Sequence, residues 1–550
     1  MKLWKEEGIY GMKRKSGYGM VGGVMSIALF LSMLTACSGA NNAQDSAKGT
    51  NQPSQGGSAA TVNPKDTLVS DKKITLKAIG QKDAQGAAWG DLRIFKDLET
   101  LTNVHYEFDA VSDGYLEKKN LALATGNLPD VIFGPLGFED EETYGPQGVL
   151  IDLTDLIEKY APNIKKALND YPLLKKTMTA SDGKIYSLGQ VASTPTMGAF
   201  KPVINKSWLT NLNLKMPETT SDLYEVLKAF RDNDPMKDGK KSQIPMGEYQ
   251  FFWLNGMLLP AFGESAADIA LKDRKVVFTP STDGYKHYLQ YLNKLYTEKL
   301  IDPMFISQSN DEYLAKTKKN IYGVLGQVRL ADWKQYEMMS PLTSEYSKEK
   351  VSSSSSIQYS SGKFAITKAN KYPIETIKWA DLFFADLDKG VEGITGASLW
   401  LGKRGVDWDF SEGNKSVKYL FQNDAGLNEV QMLLKKFTPS TTGIFGKLVL
   451  KSPFEADYSK WLGENNMTKI FPYIKPDKEF PAGARFKPDE ASKITTMMTD
   501  ISKYVEESRA KFVTGDQSFE KWDVYIKNLE SMKVKEYVKL YQDAYDRFQK

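Results

Sequence analysis

The chain has 550 residues, in which 72 Lys and Arg are set against 69 Asp and Glu and cysteine occurs once. This near balance of charge argues against a nucleic-acid partner and against charge-driven adhesion to anionic lipid, because both depend on an excess of basic residues. One cysteine and two histidines exclude a disulfide framework and a thiolate zinc site, and they weaken any mechanism that needs a histidine. We expect no cofactor.

The first residues have the pattern of a secretory leader that ends in a lipidated cysteine. Basic residues at 13–15 precede an apolar run at 20–34, and Leu34-Thr-Ala-Cys37 matches the bacterial lipobox. The apolar run of about 15 residues is shorter than the roughly 20 that a membrane-spanning helix needs. We predict removal of 1–36 and a diacylglycerol on Cys37. A free thiol or an intermolecular disulfide would leave the apolar run unexplained.

A polar segment follows the cysteine. Residues 37–71 are rich in Ser, Gly, Asn, Gln and Ala and lack apolar periodicity, which predicts a disordered tether. The start of translation stays open between Met1 and Met12, because Met12 followed by the basic residues 13–15 begins a more ordinary leader.

The folded part begins with alternating strand and helix patterns. Strand-like runs at 74–78, 104–108 and 130–133 are separated by helical stripes at 92–101 and 116–123. This β-α-β-α-β order predicts a parallel sheet whose ligands lie beyond the carboxyl ends of the strands, after Ala78 and after Phe133. Further helical stripes occur later, at 285–296, 497–505, 522–529 and 538–545.

Short motifs in a fixed order give the chain a resemblance to a known family. They lie at 121–132 (LALATGNLPDVI), 148–154, 182–186, 204–209, 216–224, 405–408, 511–515 and 522–523. Together they resemble the extracellular solute-binding proteins of ABC importers, in the large oligosaccharide-type lipoprotein group of Gram-positive bacteria. The resemblance covers roughly 115–547, which is nearly all of the folded part.

This resemblance implies a two-lobed α/β fold of the periplasmic-binding-protein type. A hinge that the chain crosses several times joins the lobes, and a cleft between them captures the solute. By analogy, 72–192 with 357–400 form the N-terminal lobe, and 193–356 with 401–550 form the C-terminal lobe. The expected protein is a monomer anchored on the outer face of the cell membrane. It is no enzyme, and it delivers an oligosaccharide or sugar to ABC permease subunits.

Other functions stay open at this point. A lipid-anchored polysaccharide-degrading enzyme would need only two opposed carboxylates, although no motif marks such a pair. A peptide-binding protein or a sensory receptor of the same fold would have the same leader and the same lobes.

Five residues are candidates for the ligand cleft. Trp89 follows the first strand, Trp253 lies in an aromatic run, and Trp400 lies in Ala397-Ser-Leu-Trp. Such rings can stack on sugars or fill a core. Gln327 and Arg329 follow the strand-like run at 322–326, in a stretch where sugar-binding relatives present cleft groups. Arg329 could equally form a surface ion pair.

The resemblance also implies a calcium loop, which this chain carries in altered form. Members of the family often have Asp-Pro-Asn-Gly-Asn-Gly-Lys-x-Asp-Glu-Ile-Pro here, and residues 234–245 align with it. Asp234, Asp238 and the carbonyl of Lys240 remain usable, but Met236 replaces an oxygen donor and neutral residues replace the later carboxylates. Because calcium binds six to eight oxygens and prefers charged ones, we predict a weak or empty metal site.

Overall fold

The computed structural model describes residues 69–196, 200–249, 251–326, 333–353, 357–411, 413, 416–421, 429–440, 445–452 and 457–550. The predicted signal peptide, Cys37, the tether up to residue 68, and the candidates Gln327 and Arg329 lie outside these residues. In the described part, no helix is long and apolar enough to cross a membrane.

The strands in chain order are β1 Ile74–Gln81, β2 Val104–Val111, β3 Val131–Phe133, β4 Leu188–Ser193, β5 Val203–Asn205, β6 Ile244–Gly247, β7 Ile269–Lys272, β8 Lys275–Phe278, β9 Tyr322–Leu325, β10 Tyr336–Met338, β11 Gln358–Ile366, β12 Trp408–Phe410, β13 Val417–Tyr419 and β14 Gly446–Val449.

The α-helices are α1 Arg93–Thr102, α2 Tyr115–Thr125, α3 Phe138–Tyr144, α4 Thr154–Tyr160, α5 Pro162–Asp170, α6 Pro172–Met178, α7 Lys206–Asn211, α8 Thr220–Asp232, α9 Phe251–Leu258, α10 Asp283–Thr297, α11 Asn310–Lys318, α12 Pro373–Asp381, α13 Ser398–Leu401, α14 Glu429–Lys436, α15 Asp457–Asn465, α16 Pro488–Thr514, α17 Trp522–Ser531 and α18 Val534–Gln549.

A six-stranded sheet in the order β14-β4-β11-β3-β1-β2 defines the first lobe. β1 pairs in parallel with β2 and β3, and α1 and α2 connect these strands, so the predicted β-α-β-α-β unit is confirmed. α1 buries Ile94, Phe95 and Leu98 against the sheet, and it ends at Asn103 in the left-handed conformation that stops a helix. Only β11 runs antiparallel to its neighbours β3 and β4.

A four-stranded sheet in the order β10-β5-β9-β6 defines the second lobe. Its largest core combines residues of α7–α10 with residues of α16–α18, which correspond to the predicted apolar stripes of the later helices. α8 begins with a capping box in which Thr219 Oγ1 accepts the N–H of Asp222 at 3.0 Å and the Asp222 carboxylate accepts the N–H of Thr219.

The chain passes between the lobes three times, after β4, before β11 and after β14. β14 runs parallel to β4, and β11 runs antiparallel to β4. All three connections therefore leave the first sheet at one edge and from three neighbouring strands. This edge also holds the carboxyl ends of β1 and β3, and the arrangement confirms the two-lobed fold with a multiply crossed hinge.

One predicted lobe boundary needs correction. The analogy assigns residues 401–550 to the C-terminal lobe as a block, but β14 at 446–449 is the outer strand of the first sheet. Leu401, Trp408 and Leu433 share a small core with Ala192 and Leu448 of that lobe. The chain therefore stays in the first lobe until β14 ends. The helices that belong to the second lobe begin only with α15 and α16.

Candidate functional site

The two strands β6 and β9 end side by side and carry the candidate site. They pair in parallel with Gly247 opposite Leu325, so Glu248 and Gly326 begin adjacent loops at one edge of the second sheet. Val203, where the chain enters this sheet from the first lobe, also pairs with Leu325. Glu248 and Gly326 therefore lie at the edge that faces the hinge, where ligands of such sheets bind.

Glu248 is the first residue after β6 and is completely buried. Its Oε1 accepts the backbone N–H of Gly326, and its own carbonyl accepts a hydrogen bond from Gln308 Nε2. Its Oε2 is buried without a hydrogen-bond partner among the residues that the structure describes. Burial raises the pKa of Glu248 to about 8, although the N–H groups of Gly326 and Tyr249 oppose the shift.

Gly326 fits between two side chains of the site. A Cβ added to this glycine would lie 2.7 Å from Oε1 of Glu248 and 3.2 Å from the Cβ of Trp253. It would also lie 3.0 Å from the backbone carbonyl of Trp253, so any larger residue would displace the carboxyl group or this part of α9. The glycine therefore lets Glu248 and Trp253 both approach its backbone closely.

Three aromatic rings form a group at the start of α9. Trp253 packs edge-on against Phe252 at 5.0 Å and against Phe200 at 6.1 Å between ring centroids. Phe252 is 52% exposed, whereas Trp253 is half-buried and Phe200 is buried. The indole Nε1 of Trp253 has no hydrogen-bond partner in the described part of the chain. The group thus offers an exposed apolar ring and an unused N–H donor.

A second aromatic group lies close to the third hinge connection. Trp333 contacts Trp461 at 5.3 Å and Tyr458 at 6.0 Å, and all three rings are half-buried. Tyr458 and Trp461 belong to the first turns of α15, the helix with which the chain re-enters the second lobe after β14. Half-buried rings beside a hinge can hold an apolar face of a ligand without being part of the core.

The structure separates the predicted tryptophans. Trp89 is only 1% exposed, packs edge-on against Phe108 and Phe133, and donates its indole N–H to the carbonyl of Pro439 at 2.5 Å. The expectation of a stacking platform at Trp89 is therefore wrong, because this ring is part of the core. Trp400 is half-buried between two cores of the first lobe.

Sequence reasoning overlooked Glu248 and the rings of Phe252, Trp333, Tyr458 and Trp461. A usable signal existed for Glu248, which directly follows a short apolar strand and precedes the aromatic run that contains Trp253. Polar residues at carboxyl ends of strands are the usual ligand contacts of such sheets. No comparable signal marks the rings of α15, because only the tertiary fold brings Trp333 to them.

Comparison with known proteins finds relatives that cover most of the chain. No protein-family model matches the chain. The fructooligosaccharide ABC transporter substrate-binding protein FusA of Streptococcus pneumoniae is 29% identical over 477 residues, which cover 83% of this chain and 87% of FusA. The polygalacturonan/rhamnogalacturonan-binding protein YtcQ of Bacillus subtilis is 26% identical over 474 residues, 82% of this chain and 88% of YtcQ.

Solved structures agree with these relatives. FusA in complex with kestose superposes with a TM-score of 0.67 at 26% identity, covering 86% of this chain and 99% of FusA. Over most of its length the chain is similar to substrate-binding proteins of ABC transporters. An extracellular solute-binding protein from Bifidobacterium longum subsp. infantis shares the fold, with a TM-score of 0.75 at 23% identity over 88% of this chain and all of that one. FusA and YtcQ are both named as binding proteins.

The altered calcium loop at 234–245 is largely held by its own hydrogen bonds. Asp234 Oδ2 accepts the N–H of Gly239 at 3.0 Å, and Asp238 Oδ1 accepts the N–H of Lys240 at 2.9 Å. Asp234 Oδ1 and Gln243 Oε1 are buried without partners among the described residues. Within those residues, no group of three or more His, Cys, Asp or Glu is placed to hold a metal ion. One charged and one neutral orphan oxygen fit a tightly bound calcium ion poorly.

Proposed function

We propose that this protein captures an oligosaccharide outside the cell and delivers it, as a monomer, to the permease of an ABC importer. FusA and YtcQ, named for oligosaccharide and polysaccharide ligands, support the saccharide class. The observation that carries the proposal is the group at the start of α9, with the exposed ring of Phe252 beside the unused indole N–H of Trp253.

This combination suits a sugar for a physical reason. The C–H face of a pyranose or furanose ring is apolar and packs on an aromatic ring, whereas its hydroxyl groups need hydrogen-bond partners. A buried donor without a partner gains most from such a ligand, because the donor has already lost its water.

A binding panel tests the proposal. Fructo-, galacto- and galacturonate oligosaccharides, together with a set of short peptides, are screened by thermal shift and titrated by calorimetry. We expect a saccharide to bind, and Phe252→Ala and Trp253→Ala to weaken its binding about tenfold or more while the variants keep a cooperative unfolding transition. Tyr346→Ala removes a ring of similar exposure and is the matched control, with unchanged affinity. Binding of peptides alone would contradict the proposal.

The enzymatic alternative is tested in the same samples. Prolonged incubation with the bound saccharide, followed by chromatography, should return the saccharide unchanged. Cleavage products at catalytic rates would support a polysaccharide-degrading enzyme instead. A sensory role differs in the partner, so co-purification of the lipidated protein with its permease subunits distinguishes import from sensing.

We propose further that a diacylglycerol on Cys37 holds the protein at the outer face of the membrane. Two acyl chains anchor stably where one does not, at roughly 0.8 kcal/mol per buried CH₂. Mass spectrometry of the native protein should show residues 1–36 removed and the lipid attached. Cys37→Ala should release the protein into the medium or leave an unprocessed precursor. A fully processed variant that stays on the membrane would contradict the anchor.

A further inference from the structure

Two residues beside Gly326 each have a buried polar side-chain atom without a partner. Glu248 Oε2 and Trp253 Nε1 lack a hydrogen bond within the described part of the chain, and a Cβ on Gly326 would lie 2.7 Å from Glu248 Oε1 and 3.2 Å from the Cβ of Trp253. A buried polar group without a partner costs about 1–3 kcal/mol. Ligand atoms that bond to these two groups would remove that cost.

The protonation state of the Glu248 carboxyl determines which ligand atom can bind to it. Oε1 already accepts the Gly326 N–H, and burial raises the pKa of Glu248 to about 8. At neutral pH the group is therefore mostly protonated, and its proton belongs on Oε2. The site then presents two donors, a carboxyl O–H and an indole N–H, and both suit an oxygen acceptor.

Two buried phenols face Glu248, and no Lys, Arg or His in the described part of the chain forms an ion pair with it. The phenols are those of Tyr313 on α11 and Tyr322 on β9, and burial raises the pKa of both far above neutral pH. Asp302 is nearby but is satisfied by Lys316 at 2.6 Å and by the Tyr322 hydroxyl at 2.7 Å. These neighbours therefore leave the carboxyl of Glu248 protonated near neutral pH.

A network of hydrogen bonds holds the backbone of Glu248 in place, while the Gly326 N–H holds its carboxyl. Gln308 donates to the backbone carbonyl of Glu248 and accepts a hydrogen bond from Lys316 at 2.9 Å. Lys316 in turn binds Asp302, so Glu248 is connected to α11. Such support is typical of a binding residue that must not reorient.

We propose that Glu248 is a solute-binding residue, and that Glu248 Oε2 and Trp253 Nε1 donate hydrogen bonds to oxygen atoms of the bound saccharide. The inference rests on the proposed function and names the group in the cleft that selects for solute oxygens. Both atoms are buried in this structure, so a solute reaches them only after a local movement. Phe252, which packs on Trp253, is 52% exposed.

A purely structural role would give different behaviour. If Glu248 only held the N–H of Gly326, its Oε1 would do so in both protonation states, and more strongly when ionised. Solute affinity would then stay constant or rise with pH. A donor role requires the proton, so affinity must fall as the carboxyl ionises.

The test is the affinity of the tightest-binding oligosaccharide of the panel, measured by calorimetry from pH 6 to pH 9.5. We expect the association constant of the natural protein to fall about tenfold between pH 7 and pH 9, which follows from loss of the protonated fraction. Glu248→Gln keeps an N–H donor and an oxygen acceptor but cannot ionise. Its affinity at pH 7 should stay within about threefold, without the fall at high pH.

Two further variants complete the experiment. Trp253→Phe keeps an aromatic ring but removes the donor, and we expect about a tenfold loss at every pH. Tyr313→Phe removes a neighbouring buried hydroxyl and should leave the pH profile unchanged. A natural protein with constant affinity, or a Glu248→Gln variant that keeps the fall, overturns this inference while the proposed function stands. Failure of every saccharide to bind overturns the proposed function and this inference together.

Discussion

Burial gives Glu248 an effect on stability that is separate from binding. Its pKa is about 8 in the folded protein against 4.5 for the free side chain, so the folded state holds a proton that the unfolded state releases. The free energy of unfolding contributed by this group is therefore complete below about pH 4.5 and is lost as the pH rises through about 8.

Glu248→Gln should remove this dependence. We expect the melting temperature of the variant, relative to that of the natural protein, to rise steadily between pH 5 and pH 8.5, because only the natural protein must take up a proton or bury a charge when it folds. Differential scanning calorimetry without ligand measures it. Glu107→Gln replaces an exposed carboxylate and is the control. A difference that does not change with pH would show that Glu248 stays ionised in the folded state.

At the residue scale, the sequence indicated that aromatic rings form the site, but it did not show which of the rings are buried in a core. Trp89 and Trp253 both follow a strand and both could stack on a sugar, but Trp89 meets Phe108 and Phe133, which come from distant parts of the chain. Burial depends on such long-range contacts, which no local pattern contains. The sequence marks Glu248 as a polar residue directly after a strand, but only the parallel pairing of β6 with β9 places it beside Gly326.

At the scale of single elements, the loop at 234–245 allows a direct test of metal binding. Asp234 Oδ1 and Gln243 Oε1 are the orphan oxygens, and Met236 places its sulfur 3.9 Å from the Ser242 hydroxyl. A thioether is a poor ligand for a hard cation, and one charged orphan oxygen gives little affinity.

We expect no stoichiometric calcium binding at micromolar metal and no change in melting temperature when a chelator is added. Titration calorimetry with calcium on chelator-treated protein measures the first, and thermal unfolding measures the second. The double variant Met236→Asn with Ser242→Asp restores two oxygen donors, and we expect it to gain calcium-dependent stabilisation. A tight site in the natural protein would mean that backbone carbonyls and water supply the missing ligands.

Helices and strands could be predicted wherever apolar residues recur at regular spacing within one short segment. The apolar stripe from Leu92 to Leu101 and the later apolar stripes all correspond to helices. On the side of a helix that faces a core, apolar residues recur every three or four positions. The position of β14 was not predictable in this way. A four-residue strand carries almost no pattern, and its partner β4 lies more than 250 residues earlier.

At the scale of the whole molecule, a buried ion pair fastens the two lobes together. Arg485 precedes α16 of the second lobe, and its guanidinium binds Glu141 at 2.6 Å and Glu142 at 3.2 Å on α3 of the first lobe. It also donates to the carbonyl of Thr177 at 2.9 Å. Glu141 is completely buried and accepts hydrogen bonds from the hydroxyls of two serines, 187 and 361. Breaking this buried ion pair would cost several kcal/mol. We therefore expect it to stay intact when the lobes move relative to each other.

Removal of this guanidinium should uncouple the lobes. Arg485→Met leaves Glu141 buried and unpaired, which costs about 3–5 kcal/mol, and we expect calorimetry to show a lower melting temperature and two resolved transitions. Burial already raises the pKa of Glu141 and Arg485 opposes this, so the loss should be smaller at pH 5 than at pH 8. The double variant with Glu141→Gln should recover part of the stability, because it removes the unpaired buried charge.

Arg404→Met is the control. It breaks a more exposed ion pair with Asp409 inside the first lobe, and we expect little change in the melting temperature. A single transition that Arg485→Met leaves unshifted would show that the lobes are held together elsewhere.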